Sequence, residues 1–144
     1  MKVFLDTNII LDILLEREGY EDSAELFRLQ EDGRLSLAIS ILTMANAAFV
    51  YRKTVGQNAV IPNLKYLSAL TEVLPMDQDT LQQALYLRGD DFEDILQYCC
   101  AAQGACDAIV TRNGKDFIIR SGLKPLEAMI PVYSPSGFLG ALVP

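Results

Sequence analysis

Apolar residues fall along the chain in short runs separated by longer amphipathic stretches, an alternation that predicts strands alternating with helices. Lys2-Val3-Phe4-Leu5 is an apolar run that stops at Asp6, as a strand buried on both faces does when it emerges at a sheet edge. Ile9 to Leu15 then reads as a helix with Ile9, Ile10, Ile13 and Leu14 on one side. Glu21 to Asp32 predicts a second helix, with Ala24, Leu26 and Phe27 facing inward and Gly33 as its stop. Leu35, Leu37 and Ile39 alternate with smaller residues and predict the second strand.

Ser40 is placed to cap a long helix through Thr43, Ala47, Phe49, Val50 and Tyr51, with Arg52-Lys53 near the end favoured by the helix dipole and Gly56 beyond. Pro62 suits the first turn of a further helix through Leu64, Leu67, Ser68 and Thr71, with a kinked continuation from Gln57 as the alternative. Glu72-Val73-Leu74-Pro75 reads as a short strand, and Asp77 or Asp79 caps a helix from Thr80 to Leu87 that Gly89 ends. Asp90-Asp91-Phe92-Glu93-Asp94 opens a helix from Ile95 to Gln103, stopped by Gly104. Ala108-Ile109-Val110 is a fourth apolar run leading into a polar turn, Thr111 to Phe117. Pro131-Val132-Tyr133 is the last strand, and Ser134-Pro135 starts a terminal helix through Leu142. Strands and helices in this order imply an α/β fold, a parallel sheet covered on both faces.

Composition narrows the chemistry. The 144 residues hold 19 acids, 12 bases and no histidine, for a net charge of -7, and 51% of positions are hydrophobic. That apolar share suffices for the core of a single domain over residues 1–144, with no linker, repeat or low-complexity segment to divide it. Without imidazole there is no Ser-His-Asp triad, Cys-His pair or His-liganded zinc. Carboxylate oxygens stay open to magnesium and manganese, hard cations that need no nitrogen ligand. Cys99, Cys100 and Cys106 form neither a disulfide framework nor a Cys-x-x-Cys pair and read as buried thiols of a reducing compartment. The first residues are too poor in apolar side chains for a signal peptide, and no run approaches the roughly 20 residues of a membrane span. A cytoplasmic protein with no membrane partner is expected.

In open parallel sheets, sites form beyond the carboxyl ends of the strands, near where strand order reverses. Asp6 and the turn from Thr111 to Asp116 both stand at such ends. Asp6, followed by Thr7 and Asn8, either caps the next helix or presents an oxygen to a divalent cation with Asn8 orienting it. Asp90, Asp91, Glu93 and Asp94 read either as a charged helix start or as the source of one ligand, Asp94, which directly precedes Ile95 and Leu96. Asp116 is either a turn acid beside Lys115 or a ligand supported by Thr111 and Asn113, with Arg112 offering a phosphate contact. From Thr111 to Lys124 there are four bases against one acid, a local reversal of the global charge where a polyanion can dock. The overall acid excess argues against nucleic acid only as far as those acids are not holding metal.

Three segments, Val3-Phe4-Leu5-Asp6-Thr7-Asn8, Asp91-Phe92-Glu93-Asp94-Ile95-Leu96-Gln97 and Ile109-Val110-Thr111-Arg112-Asn113-Gly114-Lys115-Asp116-Phe117, carry a resemblance. In order and spacing over nearly the whole chain they are similar to the PIN-domain family of metal-dependent nucleases, which includes the VapC-type toxins. The resemblance implies a three-layer α/β/α sandwich with a central parallel sheet of four to five strands, counted from the apolar runs above. It also implies a Mg2+ or Mn2+ site built from acids that cuts RNA phosphodiester bonds. By position Asp6 matches the first acid, Asp94 the third and Asp116 the fourth. Asn8, Asn46, Thr111 and Asn113 stand in support, and Arg112 or Lys115 contacts phosphate. The departure is at the second acid, for which the helix after Ser40 has Asn46, one negative charge fewer. Glu93 is the acid available to compensate, against a helix geometry that points adjacent side chains in different directions.

The leading expectation is therefore a metal-dependent endoribonuclease, the toxin of a toxin-antitoxin pair, restrained by a small antitoxin and forming a homodimer through its helices. Asn46 keeps open a second expectation, a PIN-fold module that binds RNA or protein without efficient cleavage. A third, a small phosphatase with Asp6 as nucleophile, is disfavoured because haloacid-dehalogenase-type enzymes place a second aspartate where this chain has Asn8.

Overall fold

The chain runs through β1 (Lys2–Leu5), α1 (Thr7–Leu14), α2 (Tyr20–Glu31), β2 (Ser36–Ser40), α3 (Ile41–Val55), a 3-10 turn (Gln57–Ala59), α4 (Val60–Leu70) and β3 (Glu72–Leu74). Then follow α5 (Gln78–Tyr86), β4 (Arg88–Gly89), α6 (Phe92–Gln103), β5 (Ala108–Val110), β6 (Ile119–Arg120), β7 (Val132–Tyr133) and α7 (Pro135–Leu142). The computed structural model describes residues 1–89, 91–113, 119–120 and 130–142.

Five of the strands form a parallel sheet of order β3-β2-β1-β5-β7. The chain steps outward from β1 through β2 to β3, then crosses back to lay β5 on the other side of β1. Strand order thus reverses between β1 and β5, where Val3 pairs with Leu37 on one side and Ala108 on the other. The crevice at that reversal is where a ligand is accommodated in this architecture.

Side chains of successive strand residues point to opposite faces, and here both faces are covered. Val3, Leu5, Leu37, Ile39 and Val110 pack with Ile9 and Ile10 of α1, Leu26 of α2, Ala47 of α3, Leu67 of α4 and Phe138 of α7. Phe4, Ala38 and Ile109 face the other way, onto Tyr98, Cys100 and Ala101 of α6. Helix α5 completes that second layer through Ala84, against Ile95 and Cys99 of α6. This is the α/β/α sandwich, with β1 buried on both faces as its unbroken apolar run implied. The three cysteines are reduced and buried, and burial pushes Cys99 and Cys106 up to about 11 and Cys100 to about 12, so all three pack as neutral thiols.

Where element limits differ from the sequence pattern, the cause is local chemistry or a distant partner. Asp77, not Asp79, caps α5, exchanging bonds with Thr80 in a capping box. The chain between α3 and α4 follows the kinked alternative, and Pro62 falls in the first turn of α4. Gly89 does not end a helix: α5 stops at Tyr86, and Gly89 pairs with Ile119 in a small antiparallel ladder of β4 and β6. A two-residue strand owes its existence to a partner far along the chain and leaves no periodic signal. Among the described residues no helix is long and apolar enough to cross a membrane.

Gly104 closes α6 against β3. A Cβ there would lie 2.5 Å from Leu74 Cδ1 and 3.3 Å from the Cys100 carbonyl oxygen, so Gly104→Ala should overpack the contact. The expected loss is about 1–3 kcal/mol, seen as a lower midpoint in chemical denaturation with an unchanged slope.

Candidate functional site

Asp6 emerges from β1 at the reversal of strand order, and its surroundings fix it from three directions. Its backbone N–H donates to the Val110 carbonyl of β5 at 3.0 Å. Its Oδ1 accepts the Thr7 N–H at 2.8 Å, and its Oδ2 accepts the hydroxyl of buried Thr111 at 2.9 Å. Thr111 in turn accepts the Asn113 N–H at 3.1 Å, fastening the turn after β5 to the end of β1. Asp6 caps α1 and also faces a cavity.

That cavity, of about 290 Å³, is lined by Asp6, Thr7, Asn8, Asp91, Glu93, Asp94 and Asn113. Asp91 caps α6 by accepting the Asp94 N–H at 3.2 Å, so the acidic helix start and the cavity wall are the same structure. Glu93 and Asp94 both line it. Adjacent helix positions diverge, but the cavity wraps the first turn of α6 and meets both. From α3, Asn46 Nδ2 donates to Glu93 Oε1 at 2.8 Å. Burial first, then the charges of Asp91 and Asp6, push the Glu93 carboxyl above its usual range, and the bond from Asn46 opposes that shift.

Every lining residue brings an oxygen, the donor type that magnesium and manganese prefer. Among the described residues no three acids, cysteines or histidines gather closely enough to cage one ion. The donor set fits an ion that keeps several waters and takes only one or two carboxylates directly, as Mg2+ does.

Beneath the acids lies a buried polar knot that sequence reasoning missed. Gln97 Nε2 donates to Thr7 Oγ1 at 3.1 Å and to Thr43 Oγ1 at 3.0 Å, and the two hydroxyls are 2.9 Å apart. Ser40 caps α3 by accepting the Thr43 N–H at 3.0 Å, and its hydroxyl donates to Thr43 Oγ1 at 3.3 Å. Both Thr43 lone pairs are then used, leaving its proton for Thr7. The available signal was a glutamine among Ile95, Tyr98 and Cys99 on the inward side of α6.

The structure thus brings together Asp6, Asn8, Asp94 and Asn113 around one cavity, with Thr111 against Asp6 and Asn46 against Glu93. Arg112, expected on phosphate, is tied by Nη1 to Asp12 of α1 at 2.6 Å, a carboxylate 1% exposed that Arg17 also approaches at 3.8 Å. Asp90, Lys115 and Asp116 lie outside the described residues.

Comparison with known proteins gives four further findings. A family model described as PIN domain matches residues 2–115. The chain is 29% identical over 122 residues to Ribonuclease VapC1 of Aquifex aeolicus (strain VF5), covering 81% of this chain and 83% of that protein. Among solved structures, a toxin-antitoxin complex from Klebsiella pneumoniae has a similar fold, with a TM-score of 0.63 at 18% identity, covering 92% of this chain and 97% of that one. VapBC2 from Rickettsia felis, bound to a DNA fragment from its promoter, aligns with a TM-score of 0.62 at 21% identity, covering 81% and 91%.

Two outcomes follow from the site's energetics. Thr43→Val leaves the Gln97 amide and the Ser40 and Thr7 hydroxyls short of a partner and should cost about 1–3 kcal/mol, measured by urea denaturation without metal. Glu93 holds its proton to higher pH in the folded chain than in the unfolded one. Metal-free stability therefore declines as pH rises from the ordinary carboxyl range through the raised value. Glu93→Gln keeps an acceptor for Asn46 and removes that penalty, so without metal its melting temperature should exceed wild type at pH 7. The gap should close below about pH 4.

Proposed function

Because the chain belongs to the PIN-domain family, we propose that it is a metal-dependent endoribonuclease that hydrolyses RNA phosphodiester bonds and serves as the toxin of a toxin-antitoxin pair. The observation that carries the reading is that Asp6 and Asp94, far apart in sequence, line one cavity at the reversal of strand order. The likeness to Ribonuclease VapC1 supports RNA as substrate, and the toxin-antitoxin relatives support a small antitoxin as partner.

Asp6, Asp94 and Asp116 would hold Mg2+ or Mn2+. The chemistry supplied by a bound ion is acidification of water for attack at phosphorus and compensation of charge on the departing oxygen. A chain with no histidine offers no imidazole for the first of these tasks. Thr7 and Thr111 hold one Asp6 oxygen each and so set the plane of its carboxylate. Asn8 and Asn113 offer neutral amides on the cavity wall to water or phosphate oxygens. Lys115 contacts phosphate, and Arg112, anchored on Asp12 through one nitrogen, has further N–H groups for the same anion. The Asp12 anchor sets where that cation stands relative to Asp6. A homodimer through the helices belongs to this reading, supported by exposed Leu85, Tyr86 and Phe92, as does a cytoplasmic location.

The test is cleavage of RNA with Mn2+ or Mg2+, with chelator, and by an Asp6→Asn, Asp94→Asn double variant. Chelator should abolish cleavage. The double variant should lose more than the roughly 10–100-fold that removing an outer-shell partner of a metal site costs. Equal cleavage by the double variant and wild type would sink the proposal, and a wild type that binds RNA without cutting it would favour the binding module.

A further inference from the structure

Building on the nuclease reading, the geometry points to Glu93 as a metal-directed acid of this site, supplied from α6 and oriented by Asn46 of α3, so that the charge missing from α3 is relocated. Asn46 occupies the position where the family resemblance leads one to expect a glutamate. Its side chain spans two helices to place an amide N–H on Glu93 Oε1 at 2.8 Å. Asn46 is not itself among the described residues that line the cavity, whereas Glu93 lines it together with Asp6 and Asp94. The amide therefore stands behind the acid and engages one of its oxygens.

The two positions are complementary in charge and in hydrogen-bonding type. A carboxylate at 46 would face the Glu93 carboxylate at hydrogen-bond distance with no proton between them, a like-charge contact that disfavours ionising both. An amide at 46 supplies the donor that a carboxylate at 93 accepts. The pair tolerates one acid and one amide, and this chain has the acid on α6. The cavity accordingly keeps its carboxylate count, which matters because affinity for hard cations follows the number and charge of the oxygen ligands. Asn46 is a positioning residue here, acting through Glu93.

Mn2+ binding by the full chain, followed by calorimetry and by the Mn2+ electron paramagnetic resonance signal, tests this without reference to turnover. Glu93→Gln should weaken binding by about tenfold or more. Asn46→Glu combined with Glu93→Gln moves the acid back to α3 with the amide now on α6, and should recover most of the lost affinity. Asn46→Ala should weaken binding by less than Glu93→Gln does, while its melting curve stays cooperative. Asp6→Asn serves as the reference that loses binding. If Glu93→Gln binds Mn2+ as wild type does while Asp6→Asn does not, the role of Glu93 is overturned and the nuclease reading stands. A loss in Glu93→Gln that the exchanged pair fails to recover overturns the relocation. If Asp6→Asn also binds as wild type, the metal reading itself fails and takes this inference with it.

Discussion

The amide of Gln97 ties the starts of three helices together, and the arrangement of groups at the sheet edge depends on that tie. Thr7 is the first residue of α1, Thr43 lies in the first turn of α3, and Gln97 is in the second turn of α6. All three side chains are buried. A shift of any one helix breaks bonds made by the other two, whereas an apolar core would let them slide past one another. Among the described residues Gln97 Oε1 has no hydrogen-bond partner, and a buried polar group in that state lowers stability. What the network supplies in return is a single register for Asp6, Asp91 and Ser40, the three caps of those helices.

The acids illustrate how structural and chemical demands converge on the same atoms. Asp6 and Asp91 are helix caps, and Glu93 and Asp94 occupy the first turn of α6, where the helix dipole favours negative charge. The residues that cap or charge these helix starts are the same ones that line the cavity. Capping holds the carboxylates in place, and the dipoles offset part of their mutual repulsion. The remainder is visible in Glu93, whose carboxyl is kept above its usual range by burial and by Asp91 and Asp6. A divalent cation is the species that would relieve it.

Much of this was legible in the sequence because it rests on local pattern. An apolar run ending in Asp6, Ser40 before a long helix, and Asp91 at a helix start each announce themselves through burial period and cap chemistry. The β1 and β5 ends meet because parallel connections leave few topologies. What could not be read depends on which elements face each other. The bond between Asn46 and Glu93 joins side chains of α3 and α6, and the salt bridge between Asp12 and Arg112 joins α1 to the turn after β5. Asp12 lies in a stretch whose apolar face dominates the pattern, so nothing nearby marked it as a buried anchor for a distant arginine. Gly89 failed for the opposite reason, since its local cue as a helix terminator was strong and the pairing with Ile119 overrode it.

The central position of β1 has a consequence for the chain as it is made. Strand β1 is synthesised well before the β5 it pairs with, and Asp6 is held by Val110 of β5 and by Thr111 just beyond it. Pairing between such distant segments forms slowly and only after the intervening chain is available. A nascent polypeptide still emerging from the ribosome carries Asp6 without the residues that orient it. On the nuclease reading proposed above, competence at this site would be deferred until the fold closes.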